Sequence, residues 1–270
     1  MALRLLFDRA AKGRPMRIGA FMSGSGTNIV KLIEGEKALS AKEGISPYEV
    51  VFIFSDRSDG LCQGEEIALS AGIPYFSYDI RRFHHLRKAK RTAVTREGLT
   101  ARKEFDQVAE KIVGAFDIDV IALGGYMSYI TLNRCINVHP ADLSVTTPEG
   151  KRRYVGDHAV RDAIFAGEKT LRSSTLWTDE GVDTGPLLMV SPPLKVTLPD
   201  PLHEIKKDRE KLEAAANAHQ ERLKEMGDWV VFPRTVELVA RGLFALDDDG
   251  HPFFDGKPIP QGYREESPLD

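Results

Sequence analysis

Along the first half of the chain, apolar residues come in short unbroken runs separated by amphipathic stretches. MRIGAFMSG (16–24) is an apolar run ending in glycine, and YEVVFIFSD (48–56) is a longer one. Runs of this kind are the pattern of parallel strands buried on both faces. Between them, TNIVKLIEGEKAL (27–39) has apolar residues at 29, 30, 32 and 33, the spacing of a helix lying on a sheet. QGEEIALSAGI (63–73) predicts a helix closed by glycine, and PYFSYD (74–79) the next strand. TREGLTARKEFDQVAEKIVGAF (95–116) predicts the longest helix of this half, and FDIDVIALGGY (116–126) and RCINVHP (134–140) two further strands. Strand and helix alternate with short connections. That alternation specifies an α/β fold: a doubly wound, mostly parallel, Rossmann-like sheet with helices on both faces and ligands at the carboxyl ends of its strands.

The flanking regions are less regular. Residues 1–15 read as a short helix or arm ended by Gly13 and Pro15. STLWTDEG (174–181) and PLLMVSPPLKV (186–196) predict strands around the loop GVDTGP (181–186). The charged stretch 199–227 reads as one long helix with a solvated outer face, and 228–244 as a packed helix interrupted near Pro233. Residues 246–263 read as a terminal hairpin. No internal repeat, low-complexity linker or composition break occurs. The expected organisation is an N-terminal arm, 1–15, followed by a single domain, 16–270.

Composition narrows the class only a little. The 270 residues are 42% hydrophobic and 29% charged with a net charge of −3, so no basic field points to nucleic acid. No apolar run is long enough to span a membrane, and the opening MALRLLFDRAAKGRP is interrupted by Arg4, Asp8 and Arg9, unlike a signal peptide. Cys62 and Cys135 lie far apart without CxxC spacing, which argues against a disulfide scaffold or a zinc ribbon and fits a cytoplasmic protein. Small molecules, rather than nucleic acid or membrane, are the expected partners.

Candidate chemistry sits at two strand ends. SGSGTN (23–28) follows a strand and opens a helix, so Gly26, Thr27 and Asn28 can present backbone N–H groups and side chains to an anion. It is neither a Walker A loop nor a full dinucleotide fingerprint, and a ligand-free turn fits the same residues. At the second end, Asn137 and His139 alternate, so both side chains project from one face. An amide supplies a hydrogen-bond donor and an imidazole moves protons, which is what a tetrahedral centre at an acyl carbon requires. Asp183, in GVDTGP, would favour the imidazolium and orient the ring if it lies near His139; capping a turn is its other reading.

The ordered set SGSGTN, LGGYM, NVHP and TDEGVDTGP, with a final QGY, resembles the folate-dependent formyltransferases, most closely the branch acting on glycinamide ribonucleotide. The similarity runs along most of 16–263. It implies formyl transfer from 10-formyltetrahydrofolate, a co-substrate, to a primary amine, with no metal. Asn137, His139 and Asp183 would be catalytic, and Gly26, Thr27 and Asn28 would bind the substrate phosphate. Arg102, Met127, Ser128, Tyr129 and Ile130 would line the folate pocket, with Thr178, Asp179 and Glu180 in the loop around the pterin. Asp228 would face the amine side of the acceptor. A homodimer is compatible with that reading.

The departures fall around the acceptor's approach. The family follows His-Pro with Ser-Leu-Leu-Pro, whereas this chain reads ADLSVTTPEGKRRYVGDH with inserted residues, leaving Tyr154 and Gly156 as the later landmarks. The stretch between Met127 and Asn137 is too short for the usual helix, and Lys151, Arg152 and Arg153 read as part of a solvated loop or as partners for a phosphate or the folate tail. Rival readings are a hydrolase of the same formyl-folate, a non-catalytic nucleotide-binding protein of this fold, a transfer-RNA formyltransferase and a nicotinamide oxidoreductase. The hydrolases carry a regulatory domain ahead of the catalytic one, where this sequence has only 1–15. The transfer-RNA enzymes carry a basic C-terminal domain, for which 199–270 is too short. A non-catalytic protein would be expected to lack one of Asn137, His139 and Asp183, and all three are present.

Overall fold

A computed structural model of the chain describes residues 2–265. β1 (Arg4–Leu5) and α1 (Arg9–Lys12) come first. The helix expected within 1–15 is therefore confined to one turn, capped by Asp8 and ended by Gly13 at φ 65°. Arg14 then ties this segment to Asp119 at 2.5 Å. β2 (Met16–Met22), α2 (Thr27–Glu43), β3 (Tyr48–Ser55), α3 (Gly64–Ala71) and β4 (Tyr75–Ser77) follow in the expected alternation. α4 (Ile80–Leu86), which the apolar pattern did not announce, precedes α5 (Arg96–Ala115), β5 (Val120–Leu123) and β6 (Cys135–His139). The hydrogen-bonded order is β4-β3-β2-β5-β6, parallel throughout. No helix intervenes between Met127 and Asn137, as the short spacing requires.

These strands are apolar because both faces are covered; β5 is buried at every position. Phe21, Phe52, Phe54, Phe105 and Tyr48 are all within 1% of full burial and fill the core beside the sheet. Gly124, at the end of β5, lets α2 approach closely: a Cβ there would lie 2.3 Å from Ile29 Cδ1.

Beyond β6 come α6 (Ala159–Ala166), β7 (Thr170–Leu171), β8 (Ser174–Trp177), β9 (Leu187–Val190) and β10 (Leu194–Lys195). β8 and β9 pair antiparallel across the 178–186 loop. The stretch expected as one helix is three elements: α7 (Leu202–Ile205), α8 (Arg209–Leu223) and a π-helical segment, Lys224–Asp228. The break before α8 has a local cause, since Asp208 accepts hydrogen bonds from the N–H groups of Glu210 and Lys211 and starts a new helix. α8 buries Leu212, Ala215, Ala216, His219 and Leu223 and leaves its remaining face largely to solvent. α9 (Trp229–Ala240) keeps Pro233 in its first half, so the proline does not end the helix. β11 (Phe244–Leu246), β12 (Pro252–Phe254) and β13 (Lys257–Pro258) form the expected hairpin plus one strand, and β1 adds to β11 as a fourth.

Contacts divide the chain into two units. One comprises Leu6–Asn137 with Val236–Gly242; the other comprises Val138–Thr235, the chain from Leu243 onward and the N-terminal residues through Leu5. Among the described residues, no helix is long and apolar enough to cross a membrane.

Candidate active site

In the unit that begins at Val138, one site is built from the end of β6, the inserted segment 141–157 and the β8–β9 loop. His139, the last residue of β6, is buried; Asn137, half-buried and two residues earlier on the same strand, closes the other unit. His139 Nδ1 lies 3.5 Å from Asp183 Oδ2, and both side chains are almost fully enclosed. The other ring nitrogen, Nε2, has no hydrogen-bond partner. Burial lowers the His139 pKa, and the carboxylates of Asp183 and Asp157 with the Tyr154 carbonyl oppose it. The net direction is down, so the ring is neutral at neutral pH, with one nitrogen against a carboxylate and the other uncommitted.

The loop that presents Asp183 is tightly determined. Asp183 itself adopts φ 54°, a left-handed conformation that costs a non-glycine residue about 1–2 kcal/mol. The glycines two positions either side of it leave no room for a side chain: a Cβ on Gly185 would lie 1.9 Å from the Trp177 carbonyl oxygen, and one on Gly181 1.8 Å from Thr184 Oγ1. Asp179 Oδ1 accepts from the Gly181 N–H at 2.9 Å and the Thr184 hydroxyl at 2.7 Å, closing the turn. The Asp183 carboxylate accepts the Gly156 N–H at 2.9 Å through the same oxygen that faces His139. Arg152 donates to the carbonyl oxygens of Asp183 and, at 2.7 Å, of Gly185. The expectation of a solvated 151–153 loop therefore holds for exposed Lys151 and Arg153 but is corrected for Arg152, which is half-buried and fully engaged. Nothing in the local sequence marks that role, because the partners are some thirty residues downstream.

Thr178 is half-buried and Glu180 exposed in the same loop. Asp228, in the π-helical segment, is buried and accepts the Ser173 hydroxyl at 2.5 Å. Gly227 makes room for that contact, since a Cβ there would meet Ser173 Oγ at 2.4 Å.

The other unit holds the first strand end. Gly26, at φ 68°, precedes α2, whose N-terminus receives no side-chain cap. Thr27 is half-buried and Asn28 buried, and Asn28 Oδ1 is without a partner. Sequence reading missed Asp56, at the end of β3, which joins this loop to the segment after β5. Its carboxylate accepts the Ser23 hydroxyl at 2.7 Å and the Ser128 hydroxyl, while Ser23 Oγ accepts the Met127 N–H at 2.9 Å. Met127 is exposed, Tyr129 half-buried and Ile130 buried. Arg102 is buried rather than displayed. It pairs with Asp106 at 2.8 Å and Tyr126 Oη at 3.0 Å, and its Nη1 lacks a partner. Desolvation raises the Asp106 pKa against the pull of that guanidinium.

Among the described residues, one group could offer a metal three ligands: Asp247, Asp249 and His251 bring ligand atoms within 4.8 Å. Asp247 already accepts the N–H groups of Asp249 and His251 at 3.0 and 2.8 Å, which is turn geometry.

Fold and site together define an α/β protein with a buried histidine–aspartate pair at the end of a strand. Residues 16–218 match the family model described as formyl transferase, and the chain belongs to that family. It is 25% identical over 242 residues to the trifunctional purine biosynthetic protein adenosine-3 of Chironomus tentans, covering 86% of this chain and 14% of that protein. It is 27% identical over 191 residues to the phosphoribosylglycinamide formyltransferase of Mycobacterium tuberculosis, covering 68% of this chain and 74% of that one. The solved phosphoribosylglycinamide formyltransferase of Coxiella burnetii has the same fold, with a TM-score of 0.63 and 24% identity across 93% of this chain and 99% of that one. The chain thus spans only about one-seventh of the trifunctional relative it matches.

Proposed function

We propose that the chain transfers a formyl group from 10-formyltetrahydrofolate to the primary amine of phosphoribosylglycinamide or a related phosphorylated amine. The observation that carries this reading is the buried His139, with Nδ1 against Asp183 and Nε2 uncommitted. The Mycobacterium tuberculosis relative bears the name of that activity. The formyl donor supplies an activated one-carbon group, and the chain's residues supply the proton traffic around it. Asn137 donates a hydrogen bond to the oxygen as charge develops there. Neutral His139 takes a proton from the attacking amine and returns one to the departing nitrogen, so the protons balance. Asp183 stabilises the imidazolium formed in between.

The surrounding assignments belong to the same reading. Gly26, Thr27 and Asn28 receive the acceptor's phosphate, supported by the uncapped start of α2, whose backbone N–H groups can donate to it. Met127, Ser128, Tyr129 and Ile130 in the one unit, and Thr178, Asp179 and Glu180 in the other, are each assigned to folate binding by the family resemblance. Arg102 is assigned to the folate by the family resemblance; its Nη1 is unpartnered, while its remaining nitrogens hold Asp106 and Tyr126. Asp228 polarises the amine side of the acceptor.

The test is direct. The protein is incubated with 10-formyltetrahydrofolate, with and without glycinamide ribonucleotide, and release of tetrahydrofolate is followed. Release that depends on the amine is expected. Release at the same rate without any amine identifies a hydrolase and overturns the proposal.

A further inference from the structure

The segment that departs from the family after His-Pro is an ordered hairpin. Thr146 bridges Arg152 in antiparallel register, the Thr147 N–H reaches the Lys151 carbonyl at 2.7 Å, and the Arg153 N–H reaches that of Val145 at 3.0 Å. Its base is anchored in the core: Val145 packs against the apolar cluster that includes buried Tyr154, whose hydroxyl donates to Glu168 at 2.6 Å. A hairpin so anchored presents Arg152 in a fixed position.

From that position the guanidinium spans two carbonyls of the neighbouring loop, those of Asp183 and Gly185. A planar fork can hold two acceptors in one orientation, which a single ammonium cannot. Just beyond it, the Gly156 N–H takes the Asp183 carboxylate at 2.9 Å. Segment 152–156 therefore grips Asp183 by both main chain and side chain. The residue gripped is the one whose backbone is left-handed and whose carboxylate faces His139.

We infer that Arg152 is a positioning residue for the His139–Asp183 pair, a clamp supplied by the hairpin that this chain carries after its His-Pro turn. The inference rests on the formyl-transfer reading for its kinetic consequence, but the clamp itself is measurable without turnover. Arg152 acts through the loop and touches no reacting atom. Its removal should slow the chemical step more than it weakens binding of the formyl donor, whose proposed contacts at Thr178, Asp179 and Glu180 lie in the same loop.

The experiment compares the full chain with Arg152→Gln, Arg152→Lys and Arg152→Ala, reading amide hydrogen exchange over 178–187 together with kcat and KM. Expected are faster exchange in that loop and a kcat lower by about ten- to a hundredfold with a smaller rise in KM, as for a reacting group displaced by about an ångström. Arg152→Lys should fall between wild type and Arg152→Gln, and it is the variant to read if glutamine prevents folding. Added guanidinium should restore part of the kcat of Arg152→Ala, which lost packing alone would not permit. In an Asp183→Asn background, Arg152→Ala should cost almost nothing further, because both changes disable one unit. Unchanged loop exchange, or a full second loss in the Asp183→Asn background, overturns the clamp. Faster loop exchange in a protein whose wild type transfers no formyl group upholds the clamp and removes the formyl-transfer reading instead.

Discussion

At the scale of single residues, the site turns on a conflict between burial and charge at His139. Burial wins, and the imidazole pKa lies below its ordinary 6.5. The acid limb of kcat/KM should accordingly have its midpoint below that value. Asp183→Asn removes the largest influence raising the pKa, so it should move the limb further down while cutting turnover about a hundredfold. A limb that moves upward in that variant removes Asp183 as His139's partner; a pH–rate series on both proteins decides. Asn137→Ala should cost about a hundred- to a thousandfold in kcat if its amide serves the oxyanion. The sequence could nominate these residues because the chemistry of an amide, an imidazole and a carboxylate is intrinsic to them. It could not reveal that His139 and Asp183 lie 3.5 Å apart, nor that Arg152 and Gly156 hold the carboxylate, because those contacts join positions distant along the chain.

At the scale of elements, local signals read well wherever the neighbours of a segment are near in sequence. The parallel strands were visible as apolar runs, and α5 as periodicity bounded by Thr95, which caps it by accepting the Gly98 N–H. Besides α4, three features were not. β1 is too short to announce itself, and its partner β11 lies at the other end of the chain. The long charged helix is divided by the Asp208 cap, whose effect competes with strong helical propensity on both sides. The hairpin at 145–153 has polar, turn-forming residues that also describe an open loop. Loops, by contrast, show why particular glycines are required. Gly185→Ala would drive a methyl group into the Trp177 carbonyl, so the 178–186 loop must open. A stability loss of about 1–3 kcal/mol is expected, with a larger fall in activity than in donor binding. Chemical denaturation and steady-state kinetics on that variant test both; full activity with wild-type stability would show that the loop tolerates the opening. Asp56→Ala would leave the buried hydroxyl of Ser23 without its acceptor, at about 1–3 kcal/mol by the same denaturation measurement.

At the scale of the whole molecule, the histidines set the direction of pH dependence just below neutrality. His84 and His139 are both buried with lowered pKa values, so the folded chain resists protonation that the unfolded chain accepts below 6.5. Stability should therefore fall as pH drops through that region. Urea unfolding at about pH 7 and about pH 5.5 should give the lower free energy at the more acidic value, and an increase would contradict the assignment of both rings as neutral. Composition, periodicity and the order of short motifs were enough to determine the α/β class and the formyl transferase family, since each depends on residues close together or on their own side-chain chemistry. Which carboxylate meets His139, which arginine is buried and which one grips the 178–186 loop were decided only by the tertiary structure. Such contacts depend on distances through space, and those are set by packing the whole chain rather than by any stretch of it.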